Sequence, residues 1–174
     1  AMEIVTLRIK NYRLFEDLEV KNIPSFCVII GANGTGKSTL FDIFGFLRNA
    51  LKNNIRQALQ IRGGYREVVT RGKEQEDIEI ELQFRMEILG TKRLVTYLLI
   101  IGEDKKRPVI KREILHYKRE QHENSVHFLD FRLGQGYAIT NEEDFIKNDQ
   151  ELEREEQQLD SNDILAIKGL GQFQ

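Results

Sequence analysis

Three glycines, a lysine and two adjacent hydroxyl residues crowd into the nine-residue stretch GANGTGKST at 31–39. Gly31, Gly34 and Gly36 let the main chain take conformations that other residues resist, and so bring it close to a bulky anion. Successive N–H groups from Asn33 to Thr39 would then converge on phosphate oxygens. GANGTGKS matches the spacing G-x-x-x-x-G-K-[ST] in full, which assigns each residue a task. Gly31, Asn33, Gly34, Thr35 and Gly36 shape and supply the cradle. Lys37 reaches the β- and γ-phosphates and is the catalytic candidate; Ser38 is the candidate Mg²⁺ ligand, and Thr39 is placed for the α-phosphate. The competing reading is a glycine-rich turn that merely joins two elements, and the flanking residues decide between the two.

Those flanks are what a phosphate cradle needs. The unbroken apolar run FCVII at 26–30 has the pattern of a strand covered on both faces. Behind the loop, Leu40, Ile43, Phe44, Leu47 and Leu51 recur at helical spacing, so a helix is expected to begin at the loop and pack on a sheet. Its N-terminus would add the positive end of a helix dipole. Phe41, Phe44 and Phe46 on that helix read as core rather than as a stacking platform.

Ahead of the loop, EIVTLRIK alternates Val5, Leu7 and Ile9 against Thr6, Arg8 and Lys10, and LEVKNI repeats the alternation after NYRLFED, which predicts a hairpin. Residues 53–76 read as irregular connection with some helix. From 77 to 140 the period is two: IEIELQF, RLVTYLLII, PVIKREILHY and VHFLDFRL are separated by turn-like pieces, which predicts an antiparallel sheet. Residues 141–163 hold ten Asp or Glu against two Lys or Arg, net -8, and read as an acidic, exposed connector. The fold expected is therefore α/β: a P-loop NTPase lobe (strand, P-loop, helix, with an N-terminal hairpin) plus an antiparallel region. One domain is expected, with a P-loop core over 1–76, the sheet region over 77–140, the connector, and the start of a following segment over 164–174.

The totals are those of a soluble domain: 174 residues, 40% hydrophobic, 31% charged and a formal charge of -2. They exclude collagen-like and disordered classes and predict no strong overall pull toward nucleic acid or membrane. Cys27 is the single cysteine, so neither a disulfide framework nor a cysteine metal cluster can form, and a cytoplasmic setting fits. His116, His122 and His127 match no zinc spacing. The basic pieces KKRP, KRE and YKRE are read as guards against strand aggregation, with contact to a DNA backbone as the alternative.

Taken together, IKNYRLFEDLEV followed by VIIGANGTGKSTL resembles the N-terminal half of ABC-class ATPases of the RecF and structural-maintenance-of-chromosomes kind. The likeness is specific over residues 2–51 and architectural over 77–140. It implies ATP and Mg²⁺ as ligands, a homodimer closing around two nucleotides in the full-length protein, and DNA or an effector protein as partner. It also implies that Arg13 approaches the phosphates, against the alternative of an ordinary turn arginine, and that a glutamine loop follows the sheet, with Gln172 and Gln135 both in contention.

The sequence departs from that family where catalysis is completed. YLLIIGED superficially suggests the apolar strand ending in Asp-Glu, yet Gly102 intervenes and GEDKKRP reads as a hairpin turn. GLGQ lacks the serine of the signature stretch, and no histidine loop is present. The expectation is an ATP-binding N-terminal portion whose hydrolysis requires further groups and dimerisation. The rival expectation is a nucleotide-gated interaction module with little hydrolysis.

Overall fold

In a computed structural model, residues 3–21, 37–88, 90–117, 126–139, 155–159 and 161–169 are described. Eight strands form one sheet in the order β2-β1-β3-β4-β5-β6-β7-β8, and every pairing in it is antiparallel. The strands are β1 (Glu3–Tyr12), β2 (Phe15–Lys21), β3 (Ile78–Ile88), β4 (Thr91–Asp104), β5 (Arg107–Tyr117), β6 (Val126–Arg132), β7 (Gln135–Ala138) and β8 (Glu155–Gln158). Except at β1, which pairs with both β2 and β3, sequence neighbours are sheet neighbours. The run FCVII, on which a strand-loop-helix lobe would rest, lies outside the described residues.

Tight corners set the register. Between β4 and β5 the turn is Lys105–Lys106, both at positive φ (51° and 66°), with Asp104 opposite Arg107. Two left-handed residues in a two-residue loop match the twist of the strands they join. Glu103 and Asp104 therefore end a hairpin strand. Leu133 and Gly134 repeat this geometry between β6 and β7. Of the basic pieces, KKRP forms the corner between β4 and β5 and KRE lies on β5, while residues 118–120 of YKRE lie outside the described residues. Lys111 pairs with Asp77 at 2.9 Å, Arg112 with Asp130 at 3.3 Å, and β5 is an interior strand rather than an edge.

Alternation decides which face is buried. Leu7 and Ile9 of β1, Ile78 and Ile80 of β3, Leu99 and Ile101 of β4 and Leu115 of β5 are all sealed from solvent. Helices cover them: α1 (Lys37–Lys52), α2 (Ile55–Ile61) and the single turn α3 (Tyr65–Val68). Helix α1 inserts Ile43, Phe46, Leu47 and Ala50, while Leu40 and Phe44 are partly buried against the same core. Leu51, expected on this face, is 37% exposed, and Phe46 does the larger share of the packing. Asn54 caps α2 by accepting a 2.8 Å hydrogen bond from the Gln57 N–H. Within the sheet, His116 and His127 face each other across β5 and β6 with ring centres 5.2 Å apart; His122 lies outside the described residues.

The acidic segment needs a correction. Residues 155–158, expected in an exposed connector, pair as the edge strand β8, with Gln135 opposite Gln158. A charged, polar stretch suits an edge, where main-chain pairing suffices and side-chain charge discourages further strands. Beyond it, residues 161–169 run back across the sheet and end in a 3₁₀ turn, Ala166–Gly169, with Leu165 and Ala166 in the core. Glu113 of β5, fully buried, receives this turn: its Oε1 accepts the Ala166 N–H at 2.6 Å, and its Oε2 accepts the Ile167 N–H at 2.9 Å and the Tyr97 hydroxyl at 2.8 Å.

Burial pushes the Glu113 carboxyl up to about 6, although the Ile167 and Ala166 amides and the Tyr97 hydroxyl pull the other way. The folded chain thus holds this proton more tightly than the unfolded chain, whose value is the ordinary 4.5. Stability from this group is largest at acid pH and declines as pH rises from about 4.5 to about 6, by about 2 kcal/mol in all. Denaturant melts of the wild type and Glu113→Gln between pH 4.5 and 7.5 should differ by that slope; parallel curves would contradict it.

Candidate functional site

Helix α1 begins at Lys37, so the last residues of GANGTGKST form its first turn. Three facts about its start bear on anions. The first-turn N–H groups of any helix lack intrahelical partners. That turn contains no acidic residue, so nothing there offsets the positive end of the dipole. At sixteen residues the helix is long enough to carry a full dipole. Residues 31–36, and with them Gly31, Asn33, Gly34, Thr35 and Gly36, lie outside the described residues; Lys37, Ser38 and Thr39 are placed as the helix start.

What fixes the direction of α1 is a carboxylate one turn further on. Asp42 follows Ser38 by four residues, which puts it on the same helix face, about 6 Å along the axis. Its Oδ2 accepts the Tyr12 hydroxyl at 2.6 Å and Arg13 Nε at 3.1 Å, and its Oδ1 accepts Arg62 Nε at 2.9 Å. Thus the β1–β2 corner and the end of α2 meet on one side chain of α1. Burial raises the Asp42 pKa, but the Tyr12 hydrogen bond and the Arg62 and Arg13 charges outweigh it, and the carboxyl stays below the ordinary range. Tyr12 shows the reverse: burial, then Asp42, push its hydroxyl well above its usual value and keep it a donor.

Arg62 ties the two helices along their length. Besides Asp42 it donates from Nη1 to Asn49 Oδ1 and to the Ala58 carbonyl, both at 2.9 Å, and its guanidinium lies 5.6 Å from the Phe46 ring centre. Gly45 lies directly beneath this guanidinium. A Cβ there would stand 3.1 Å from the Arg62 Nη2, a tight contact that the guanidinium would have to relieve by shifting a few tenths of an ångström. The periodicity of the helix gave no sign of this contact.

At the hairpin corner, Asn11 and Arg13 both adopt positive φ, 59° and 50°. Such backbone is unusual outside glycine and persists where the surroundings hold it. Here they do. The Asn11 Nδ2 donates to the Lys73 and Glu76 carbonyls at 3.0 and 2.8 Å, and its Oδ1 accepts the Thr70 N–H. The Arg13 N–H donates to the Val68 carbonyl at 2.6 Å. The corner is therefore pinned to residues 68–76, while the Arg13 side chain, about a third exposed, is turned onto α1 through Asp42.

Of the sequence candidates, the structure brings Arg13 to the helix that carries Lys37 and Ser38. It does not bring Gln135. That residue starts β7, opposite Arg132 and Gln158, five strands across from β1, or about 24 Å at roughly 4.8 Å per strand. Gln172 lies outside the described residues. Sequence reasoning missed Asp42, Arg62 and Asn11; an acidic residue on the core-facing side of an apolar helix was the available signal for the first. Among the described residues no cluster of three or more metal-ligating side chains occurs, and no helix is long and apolar enough to cross a membrane.

A family model described as an AAA ATPase domain matches residues 2–169, nearly the whole chain. No curated protein and no solved structure matches.

Removing the hub should be severe for its size. Asp42→Ala strands the buried Tyr12 hydroxyl and takes the carboxylate from the Arg13 and Arg62 guanidiniums, with an expected loss of about 2 to 4 kcal/mol. Because the Asp42 pKa is depressed, its contribution is complete above the unfolded carboxylate range and fades as pH falls through and below it. Urea melts at neutral and acid pH read both effects; a loss below about 0.5 kcal/mol at neutral pH would show that the hub is dispensable.

Proposed function

The chain belongs to the AAA ATPase domain family, and from that premise we propose that it binds Mg-ATP at the start of α1 as the nucleotide-binding part of an ATPase of the RecF and structural-maintenance-of-chromosomes kind. The observation that carries the reading is the coincidence of a complete G-x-x-x-x-G-K-[ST] string with the first turn of a sixteen-residue helix free of acidic residues. In this reading Gly31, Asn33, Gly34, Thr35 and Gly36 wrap the phosphates, Lys37 neutralises the β- and γ-oxygens, Thr39 contacts the α-phosphate, and Ser38 joins the Mg²⁺ shell. Bound Mg²⁺ would supply charge neutralisation across the phosphates.

Arg13 enters this scheme through Asp42. Its guanidinium is held beside α1 by Asp42, 3.1 Å away, and in this reading it would leave that carboxylate to meet the phosphate chain as a second cation. Phosphoryl transfer rests on several such groups acting together, with those donated by another subunit worth large rate factors. We therefore assign turnover to a homodimer that brings in the remaining catalytic groups, with binding but no useful turnover by this chain alone. DNA or an effector protein is the expected partner, in the cytoplasm.

A groove of about 810 Å³ favours the second reading, a nucleotide-gated interaction module. It is lined by Arg13, Leu14, Arg66, Glu67, Val69, Arg71 and Glu74, so it shares Arg13 with the hub, and Leu14 at its rim is 70% exposed. Salt-dependent DNA binding that stimulates hydrolysis supports the first reading; a partner complex indifferent to DNA supports the second.

Mg-ATP at a hundred times its dissociation constant should stabilise the chain by about 2.7 kcal/mol. Lys37→Ala should abolish the thermal shift without lowering the melting point of the ligand-free chain. An unshifted wild type in saturating Mg-ATP would refute nucleotide binding.

A further inference from the structure

Residues 161–169 touch more of the molecule than their length suggests. The Asn162 carbonyl accepts the Ile110 N–H of β5 at 2.8 Å, and the Asp163 carbonyl accepts the Ile55 N–H of α2 at 2.9 Å. Arg56 closes the same corner, donating to the Pro108 carbonyl at 2.9 Å and to Asn162 Oδ1 at 3.1 Å, with Asp163 at 3.6 Å. Glu113 takes the Ala166 and Ile167 amides, as described. Finally the Lys168 ammonium reaches the carbonyls of Lys52 and Asn53, at 3.4 and 3.1 Å. Those carbonyls stand at the last residue of α1 and the one after it, where a helix has acceptors without intrahelical donors and the negative end of its dipole.

Helix α1 thus has its start in the phosphate string and its end under Lys168. Sixteen residues span about 24 Å at about 1.5 Å per residue, the distance that separates the two contacts. We propose that residues 161–169 form a strap coupled to the phosphate cradle through α1, with Lys168 as the positioning residue at the far end of the helix. Ordering the first turn around a ligand firms α1 as a body, and the strap gripping its last carbonyls is firmed with it. Linkage makes the effect mutual: binding at the cradle and closure of the strap favour each other by one coupling factor, which is the most that affinity can lose when the strap is loosened. The inference rests on the nucleotide reading above.

The test uses the full chain with Mg-ATP as the probe and two readouts. Amide hydrogen exchange at Ala166 and Ile167 should slow by about five-fold or more when Mg-ATP saturates the wild type. Titration calorimetry of Lys168→Ala, a change at an exposed contact, should show affinity lowered by about the same factor, and Lys168→Arg, which keeps the cation, should restore it. Binding heat in the wild type with exchange at 166–167 unchanged, or with Lys168→Ala binding at full affinity, overturns the strap and leaves nucleotide binding standing. No heat in the wild type overturns both.

Discussion

The carboxylate of Asp42 joins three parts of the chain that are far apart in sequence: the corner after β1, the helix that starts in the phosphate string, and the end of α2. Each partner alone is modest, since a net hydrogen bond to a charged group contributes about 1.5 to 3 kcal/mol. Together they solve a directional problem. A phosphate cradle works only if the helix start points its amides at the anion, and apolar packing by Ile43, Phe46 and Ala50 is too indifferent to rotation and sliding to set that direction by itself. Three charge-assisted bonds with fixed geometry restrict both.

The rest of the molecule supports this hub at successive distances. Asn11 pins the hairpin corner in its left-handed turn, so that Tyr12 and Arg13 arrive at Asp42 from a fixed direction. Arg62 lies against the helix over Gly45, and the Phe46 ring lies beneath its guanidinium. At the opposite end, Lys168 and Glu113 hold the returning strand of chain to the end of α1 and to β5. Helix α1 is thereby gripped at both ends, with the broad antiparallel sheet as the plate beneath it.

Much of this could be read from residue order, for physical reasons that differ by element. Two-residue alternation such as Ile78, Ile80 and Leu82 against Glu79 and Glu81 is strong because one face of the sheet is buried. The start of α1 was legible because the phosphate string and the apolar spacing agree. Long-range polar contacts leave no such periodic trace. Nothing local marks Asn11 as the staple for residues 70–76 or pairs Arg62 with an aspartate twenty positions earlier. Likewise the charges of EEQQ argued for exposure, and only the free edge of β7 explains why that stretch pairs as a strand.

On the proposed nucleotide reading, Asp42, which has no place in the phosphate string, governs how well that string would hold Mg-ATP. Calorimetric titration of Mg-ATP into Asp42→Asn tests it most directly, at a temperature where the variant remains folded. Asparagine keeps the size and one acceptor but loses the charge that gathers both arginines. Affinity should fall by about ten-fold or more, equivalent to about 1.4 kcal/mol. Wild-type affinity in the folded variant would contradict it.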